Sequence, residues 1–276
     1  MERLQAAIEK ARAQRNLSAD QFIRPQGASA AVGRGPDMDE DWQALTPLTL
    51  NEKRLRQGRI SPPQGGRDSA PFDLLRTRML QQCKQNNWTR VAVVSPHAGC
   101  GKSTTTANLA FSLARQSELR SIVLDFDLRR TGLSRLLGHK APMGIGEVLG
   151  EQAGFEDVGL RHGPNLAFGL SGETRVSTPS EMLQSNRTVS VLSRLETRYS
   201  PDLMLFDMPP LMSTDDNFGF LQNVDCALIL VAAEETTMAQ IDVAERQVAE
   251  LTNVMGVVLN KCRYSSGAFG HAYDLY

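Results

Sequence analysis

The sequence predicts an α/β fold in which a mainly parallel sheet is flanked by helices and preceded by a partly disordered N-terminal extension. From Phe72 onward, short apolar runs alternate with segments of helical periodicity, a pattern typical of parallel strands covered by helices. The chain has 276 residues, 41% of them hydrophobic, enough for one sizeable domain with extensions. Six strands are predicted, at residues 90–95, 121–125, 165–170, 203–207, 226–232 and 254–259.

The N-terminal part of the chain differs from the rest in its composition and in its hydrophobic pattern. Residues 1–16, "MERLQAAIEKARAQRN", predict a short amphipathic helix with Leu4, Ile8 and Ala11 on one side. Residues 24–42 and 58–71 combine proline, glycine and charge without periodicity, which indicates linker, and "LTPLTL" between them is predicted to dock. These patterns divide the chain into an N-terminal helix and flexible linker (1–68), one domain (69–263) and a C-terminal tail (264–276).

Composition excludes several function classes. The formal net charge is −1, so bulk charge gives no reason to expect a nucleic-acid partner. The four cysteines, Cys83, Cys100, Cys226 and Cys262, lack the spacing of metal ligands or of a disulfide framework, which favours reduced thiols in the cytoplasm. Residues 1–16 are charged throughout, unlike a signal peptide, and the longest apolar run, "CALILVAA", is too short to span a bilayer.

A glycine-rich loop follows the first predicted strand, in "SPHAGCGKSTTTANLA". A strand, a glycine loop and then a helix form the context of a phosphate-binding P-loop, although Pro96 stands where the usual first glycine would be. Successive backbone N–H groups and the helix N-terminus attract an anion, while Lys102 can reach the outer phosphates and Ser103 is a hard ligand for Mg²⁺. The ATP contacts predicted in this segment are Ala98, Gly99, Cys100, Gly101, Lys102, Ser103 and Thr104.

Carboxylates follow two further strands. "SIVLDFDLRR" ends a strand with Asp125 and continues to Asp127, and "DLMLFDMPP" ends another strand with Asp207. Because the carboxyl ends of parallel strands meet at the edge of the sheet where ligands bind, the three aspartates are predicted to surround one magnesium–phosphate group.

Together these motifs resemble those of a known family. "GCGKSTTTANLA", "VLDFDLRR" and "LFDMPP" are similar to the Walker A, Walker A′ and Walker B motifs of bacterial tyrosine kinases, the capsule and exopolysaccharide autokinases of the deviant-Walker class. "FDLLRTRML" and "TPSEMLQS" extend the likeness from about Phe72 to Arg263. The resemblance implies a P-loop NTPase fold and an ATP- and Mg²⁺-dependent protein-tyrosine autokinase. ParA/MinD-type ATPases share the Walker pair but carry a signature lysine at the place of His97, so this position favours the kinase.

The proposed chemistry assigns a role to each polar residue. Ser103 and Asp207 hold the metal, with Asp125 counted among its ligands, while Lys102 neutralises the phosphates. Asp125 orients or deprotonates the tyrosine hydroxyl and Asp127 supports metal-bound water, although the sequence leaves these two roles exchangeable. Asn260, in "GVVLNK", resembles the position from which the class contacts adenine; a strand-end turn former is the alternative.

Three of the four tyrosines, Tyr264, Tyr273 and Tyr276, lie in the last thirteen residues. The resemblance implies that they are phosphoacceptors modified between neighbouring subunits. It further implies self-association, a cognate phosphatase, and a membrane-embedded polysaccharide chain-length regulator as activator. That partner would hold a cytoplasmic protein at the inner membrane.

One departure concerns assembly. Members of the family use a Glu-x-x-Arg-x-x-Arg pattern to form ring-shaped oligomers. Here Arg76 fits the last position of the pattern, but Ala70 and Asp73 replace its glutamate and its first arginine. The sequence therefore does not support a ring held by this contact. Two alternative functions stay open: a ParA/MinD-like regulatory ATPase that hydrolyses ATP without labelling tyrosine, and a non-catalytic nucleotide-binding scaffold of the polysaccharide machinery.

Overall fold

The computed structural model describes residues 36–262 and contains one eight-stranded sheet. The strands lie in the order β1-β4-β5-β3-β6-β2-β7-β8, and every neighbouring pair is parallel except β4 and β5. The strands are β1 (Thr46–Pro47), β2 (Arg90–Val94), β3 (Ser121–Asp125), β4 (Leu160–His162), β5 (Leu166–Gly169), β6 (Leu203–Asp207), β7 (Cys226–Ala232) and β8 (Asn253–Asn260).

Helices connect most of the strands and cover both faces of the sheet. They are α1 (Pro36–Ala44), α2 (Glu52–Gln57), α3 (Ala70–Asn86), α4 (Lys102–Ala114), α5 (Gly132–Leu137), α6 (Ile145–Leu149), α7 (Phe155–Val158), α8 (Pro179–Gln184), α9 (Asn186–Tyr199), α10 (Asp216–Phe220) and α11 (Met238–Ala249). No helix within this described range is long and apolar enough to cross a membrane. The α/β fold predicted from the sequence is confirmed.

The six predicted strands agree with the structure to within one residue at each end. Strands β2, β3, β6 and β7 are buried along their whole length, because helices cover both faces of a parallel sheet. Strands β1 and β4 were not predicted. They have only two and three residues, too few to show an alternating pattern, and they form by pairing with each other and with β5.

The core has two parts, one on each face of the sheet. Phe126, Phe206 and Phe220 pack on the first face, with ring centroids 4.7–5.2 Å apart. On the second face, α4 lies against the central strands, and Phe111 of this helix packs on Phe168 of β5. This packing fixes the N-terminus of α4, where the glycine-rich loop ends.

Residues 36–68 differ from the flexible linker that the sequence predicted. Trp42 and Leu45 are buried on the first face of the sheet, whereas Leu55 and Ile60 are buried on the second. Between these two pairs the chain forms β1 at the edge of the sheet, so it passes from one face to the other; we call residues 36–68 the edge segment. The predicted docking of "LTPLTL" is seen here. Widely spaced large apolar residues anchor this segment, and such spacing gives no periodic signal.

The predicted helix at residues 1–16 and the three tail tyrosines, Tyr264, Tyr273 and Tyr276, lie outside the described residues.

Candidate functional site

The phosphate-binding loop spans residues 95–101, between the end of β2 and the start of α4. Gly99 and Gly101 have positive φ angles of 87° and 91°, a backbone conformation that glycine adopts without strain. A Cβ atom at Gly101 would also collide with the side-chain amide of Asn260. The positive φ angle therefore favours glycine at position 101, and a side chain there would also displace the Asn260 amide.

The loop and the first turn of α4 contain the predicted ATP contacts. Ala98 and Gly99 are exposed, Gly101, Ser103 and Thr104 are half-buried, and Cys100 is buried. Asn260, at the end of β8, lies beside this loop, and its Nδ2 donates a hydrogen bond to the Cys100 carbonyl oxygen at 2.8 Å. The structure thus brings all eight predicted ATP-binding residues to one place, the loop with its adjoining helix and strand ends.

Lys102 is buried at the N-terminus of α4, and its Nζ donates a hydrogen bond to Ser95 Oγ at 2.9 Å. Burial lowers the pKa of Lys102, and the neighbouring carboxylates of Asp207 and Asp127 oppose that shift. The ammonium group is therefore held among negative charges, and bound phosphate groups would stabilise it further.

Asp125 and Asp207 end the adjacent strands β3 and β6 and lie directly opposite each other in the register. Both are completely buried. Burial raises the pKa of Asp125, and the nearby Asp207 carboxylate raises it further. Burial likewise raises the pKa of Asp207. Two carboxyl groups placed this closely in a low-dielectric interior disfavour simultaneous ionisation unless a cation joins them.

The hydrogen bonds of this pair leave two oxygens free. Asp125 Oδ2 accepts from Ser134 Oγ at 3.0 Å and from Ser134 N at 3.3 Å, while Asp207 lies beside Ser103 and accepts from Thr106 Oγ1 at 3.4 Å. Asp125 Oδ1 and Asp207 Oδ2 are buried without a hydrogen-bond partner among residues 36–262. Buried polar atoms normally have partners. Two orphaned carboxylate oxygens, with the Ser103 hydroxyl beside Asp207, fit the hard oxygen ligands that Mg²⁺ prefers.

Asp127 lies in the loop after β3 and is nearly buried, with 6% of its surface exposed. Burial raises the pKa of Asp127, and the Lys102 ammonium opposes this shift. Its Oδ1 accepts a hydrogen bond from Arg130 N at 3.2 Å. The structure therefore groups Asp127 with Lys102.

A further group of polar residues supports this site and was missed in the sequence. Arg129 donates from Nε and Nη2 to the two carboxylate oxygens of Asp216, both at 2.9 Å, and from Nη2 to Ser180 Oγ at 3.1 Å. Burial alone would raise the pKa of Asp216. The hydrogen bonds from Arg129 and Ser180 outweigh this effect and hold the pKa below its usual value. This cluster joins the loop after β3 to α8 and α10. The positions of Arg129, within "VLDFDLRR", and of Ser180, within "TPSEMLQS", were the two signals that could have pointed to it.

Asp73 and Arg76, at two positions of the ring motif, form hydrogen bonds with residues of the same chain. Asp73 accepts hydrogen bonds from Ser112 and Arg115, and Arg76 Nη1 donates to the Ser112 carbonyl oxygen at 2.8 Å. Both side chains join α3 to α4, in keeping with the departure from the ring pattern noted in the sequence.

Comparison with known proteins places this geometry in a family. Residues 91–269 match the family described as the CobQ/CobB/MinD/ParA nucleotide binding domain. The tyrosine-protein kinase ptk of Acinetobacter johnsonii is 28% identical over 182 residues, which cover 65% of this chain and 24% of that protein. The tyrosine-protein kinase CpsD of Streptococcus pneumoniae is 27% identical over 186 residues, covering 65% of this chain and 79% of that protein. Among solved structures, the BceF tyrosine kinase domain matches with a TM-score of 0.63 and 25% identity, covering 78% of this chain and 90% of that chain.

The chain spans about a quarter of the length of the first of these relatives and most of the second. The family match is stronger evidence for the family of this chain than the individual relatives are. It covers more than half of the chain and contains the glycine-rich loop, both buried carboxylates and Asn260. The chain therefore belongs to the CobQ/CobB/MinD/ParA family of nucleotide-binding domains.

Proposed function

We propose that this chain is an ATP-dependent protein-tyrosine autokinase that regulates exopolysaccharide or capsule biosynthesis and export. The observation that carries the proposal is the pair of buried carboxylates, Asp125 and Asp207, each with one oxygen that has no hydrogen-bond partner among residues 36–262, together with the contact of Asp207 with Ser103 at the phosphate-binding loop. Relatives that match 65% of this chain are named tyrosine-protein kinases, which supports phosphoryl transfer to tyrosine over simple nucleotide binding.

The proposed mechanism follows from charge. The loop amides and Lys102 bind the phosphates of ATP, and Ser103, Asp207 and Asp125 are the residues that would hold Mg²⁺. When bound, this ion would neutralise charge on the β- and γ-phosphates. Asp125 orients the tyrosine hydroxyl and accepts its proton as the new O–P bond forms and the bond between the γ-phosphorus and ADP breaks. Asp127 would support metal-bound water.

The acceptors are proposed to be Tyr264, Tyr273 and Tyr276. They follow β8 closely in the chain, and β8 ends at Asn260, beside the loop. A tail that begins there starts at the ligand-binding edge of the sheet, from which it can reach the active site of a neighbouring subunit. The proposed partners are a second copy of the chain, a membrane-embedded chain-length regulator as activator and a cognate phosphatase, with the protein located at the inner membrane through the regulator.

A second candidate function is a regulatory ATPase of the ParA/MinD type. It is favoured by the family description, which includes both of these proteins. His97 weighs against it, because the signature lysine of those ATPases is absent from this position. The two candidates differ in one product, since the ATPase transfers the γ-phosphoryl group to water and the kinase transfers it to tyrosine.

The decisive experiment compares the full chain with a chain that ends at Arg263. Both are incubated with ATP and Mg²⁺, with and without a candidate activator, and phosphotyrosine is mapped by mass spectrometry. We expect phosphate on the tail of the full chain and intact ATP binding but little self-phosphorylation in the shortened chain. Tyr199, the remaining tyrosine, is an internal control because only 1% of it is exposed. ATP hydrolysis without tail phosphate would instead support the ParA/MinD-like ATPase, and nucleotide binding without turnover would support the scaffold.

A further inference from the structure

Three carbonyl groups of the phosphate-binding loop are held by side chains. Ser95 Oγ donates to the His97 carbonyl oxygen at 2.7 Å, the His97 ring Nδ1 lies 2.9 Å from the Ala98 carbonyl oxygen, and Asn260 Nδ2 donates to the Cys100 carbonyl oxygen at 2.8 Å. These hydrogen bonds fix the orientation of three peptide groups within a loop of seven residues.

The orientation of those peptide groups matters for anion binding. A phosphate is held by backbone N–H groups that point towards it, and rotating a peptide group replaces its N–H by a repelling carbonyl oxygen. Gly99 and Gly101 lack the Cβ atoms that would restrict such a rotation. The hydrogen bonds to the carbonyl oxygens therefore restrain a backbone that glycine leaves free to turn.

Resting on the nucleotide site described above, we propose that Asn260 is a positioning residue of the phosphate-binding loop, together with His97 and its partner Thr236, and that Asn260 supports phosphate binding whichever base the nucleotide carries. The resemblance to the kinase family had pointed to an adenine contact. In the structure, Nδ2 of Asn260 is directed at the loop, close enough to Gly101 that a Cβ atom there would displace this amide.

The protonation of the His97 ring follows from its neighbours. Nδ1 faces the Ala98 carbonyl oxygen, which can only accept, so Nδ1 carries the proton. Nε2 lies 2.9 Å from Thr236 Oγ1, and this hydroxyl itself accepts from Ala232 N at 3.0 Å. In the neutral ring the Thr236 hydroxyl donates to Nε2, and a chain of hydrogen bonds connects the end of β7 to the Ala98 carbonyl group.

The two anchors come from neighbouring strands. Thr236 lies in the turn that follows β7, and Asn260 is the last residue of β8, paired with Ala232 of β7. The Ala233 N–H donates to the Asn260 carbonyl oxygen at 2.9 Å. The ends of β7 and β8 thus form one support that contacts the loop at Ala98 through His97 and at Cys100 through Asn260.

The test separates phosphate from base by using a probe without a base. Binding of Mg²⁺–tripolyphosphate, Mg²⁺–ATP and Mg²⁺–GTP to the full chain is measured by calorimetry for the wild type and Asn260→Ala. We expect the dissociation constants of all three ligands to rise by a similar factor of about fivefold, the change that corresponds to one hydrogen bond of about 1 kcal/mol. An unchanged constant for tripolyphosphate with a lost preference for ATP over GTP would overturn the proposal.

A matched control lies at the other end of the same strand. Asn253 Nδ2 also donates to a backbone carbonyl oxygen, that of Asp225, at 2.8 Å, but far from the loop along β8. Asn253→Ala is expected to lower the thermal midpoint to a similar extent and to leave the three dissociation constants unchanged. Equal loss of affinity in both variants would mean that Asn260 acts only through general stability, and would also overturn the proposal.

A second pair of variants tests the His97 anchor and does not depend on the folding of Asn260→Ala. Thr236→Val removes the hydroxyl that donates to His97 and is expected to weaken tripolyphosphate binding, whereas Thr236→Ser keeps the hydroxyl and is expected to restore it. Equal affinities in Val and Ser variants would contradict the role of this anchor. A wild-type protein that binds none of the three ligands would refute the nucleotide site itself, a result distinct from failure of the positioning role alone.

Discussion

Replacing Asp125 by asparagine should stabilise the protein in the absence of nucleotide, although it removes a residue of the proposed active site. Asp125 is buried opposite Asp207, and one oxygen of each carboxyl group has no hydrogen-bond partner within the described chain. An asparagine can keep its carbonyl oxygen on Ser134 and turn its amide N–H₂ towards Asp207. The substitution therefore removes a buried charge and supplies a donor to an orphaned acceptor.

The magnitude follows from the cost of an unsatisfied buried group, about 1–3 kcal/mol for each polar atom. For domains of this size, 1 kcal/mol corresponds to a shift of roughly 2–4 °C in the thermal midpoint. The gain should also depend on pH. Because burial raises the pKa of Asp125 in the folded state, the wild type is most stable where the carboxyl is protonated in both states and loses stability as the pH rises through the raised value. The advantage of Asp125→Asn should therefore grow from pH 5 to pH 8.

Urea unfolding at pH 5, 6, 7 and 8, with and without Mg²⁺–ATP, measures this effect. We expect the variant to be more stable without ligand and to gain less from Mg²⁺–ATP than the wild type. Asp216→Asn is the matched control of opposite sign, because Asp216 is buried with its two oxygens paired to Arg129, so its loss should destabilise the protein. A less stable Asp125→Asn, or a gain independent of pH, would refute the reasoning.

Three further predictions concern ligand binding. Lys102→Met should keep the fold but weaken Mg²⁺–ATP at least tenfold, because a charge-assisted contact to phosphate of about 1.5–3 kcal/mol is lost; unchanged affinity in calorimetry would contradict the P-loop assignment. Asp207→Asn should weaken Mg²⁺-dependent nucleotide binding, whereas Asp125→Asn should reduce phosphoryl transfer more than binding; identical magnesium titrations would leave this division unsupported. Because the pKa values of both carboxyls are raised and Mg²⁺ needs them ionised, nucleotide binding should tighten as the pH rises from 5 to 8 and release protons, which calorimetry in buffers of different ionisation enthalpy detects.

The fold could be predicted best from the sequence where strands are buried along their whole length. The central strands β2, β3, β6 and β7 are buried on both faces, so they appear as uninterrupted apolar runs. The carboxylates of Asp125 and Asp207 follow two such strands directly, and parallel pairing brings them together at one edge. These parts of the fold and the site follow from short-range patterns and one rule of topology.

Other features depend on contacts between distant parts of the chain. Arg129 and Asp216 are 87 residues apart, and no spacing connects them in the sequence. The contact between Asn260 and the Cys100 carbonyl spans 160 residues, so the sequence could place Asn260 near the site but could not show which atom it contacts. Strand β4 runs antiparallel to β5, to which a tight connection joins it. Its three residues are too few to show a strand pattern in the sequence.

The edge segment, residues 36–68, has a consequence for where the folded unit begins. Its large side chains complete the hydrophobic core on both faces of the sheet, and removing one such as Trp42 costs about 3–5 kcal/mol in typical cores. A fragment cut at residue 69, the boundary that composition suggested, would expose Tyr199 and Phe155 on one face and the surface under Ile60 on the other, and would also leave β4 as an open strand. Limited digestion of the native protein should therefore spare the peptide bonds around Trp42 and Ile60. The smallest autonomous fragment therefore includes Trp42, about thirty residues upstream of the first residue that resembles the kinase family.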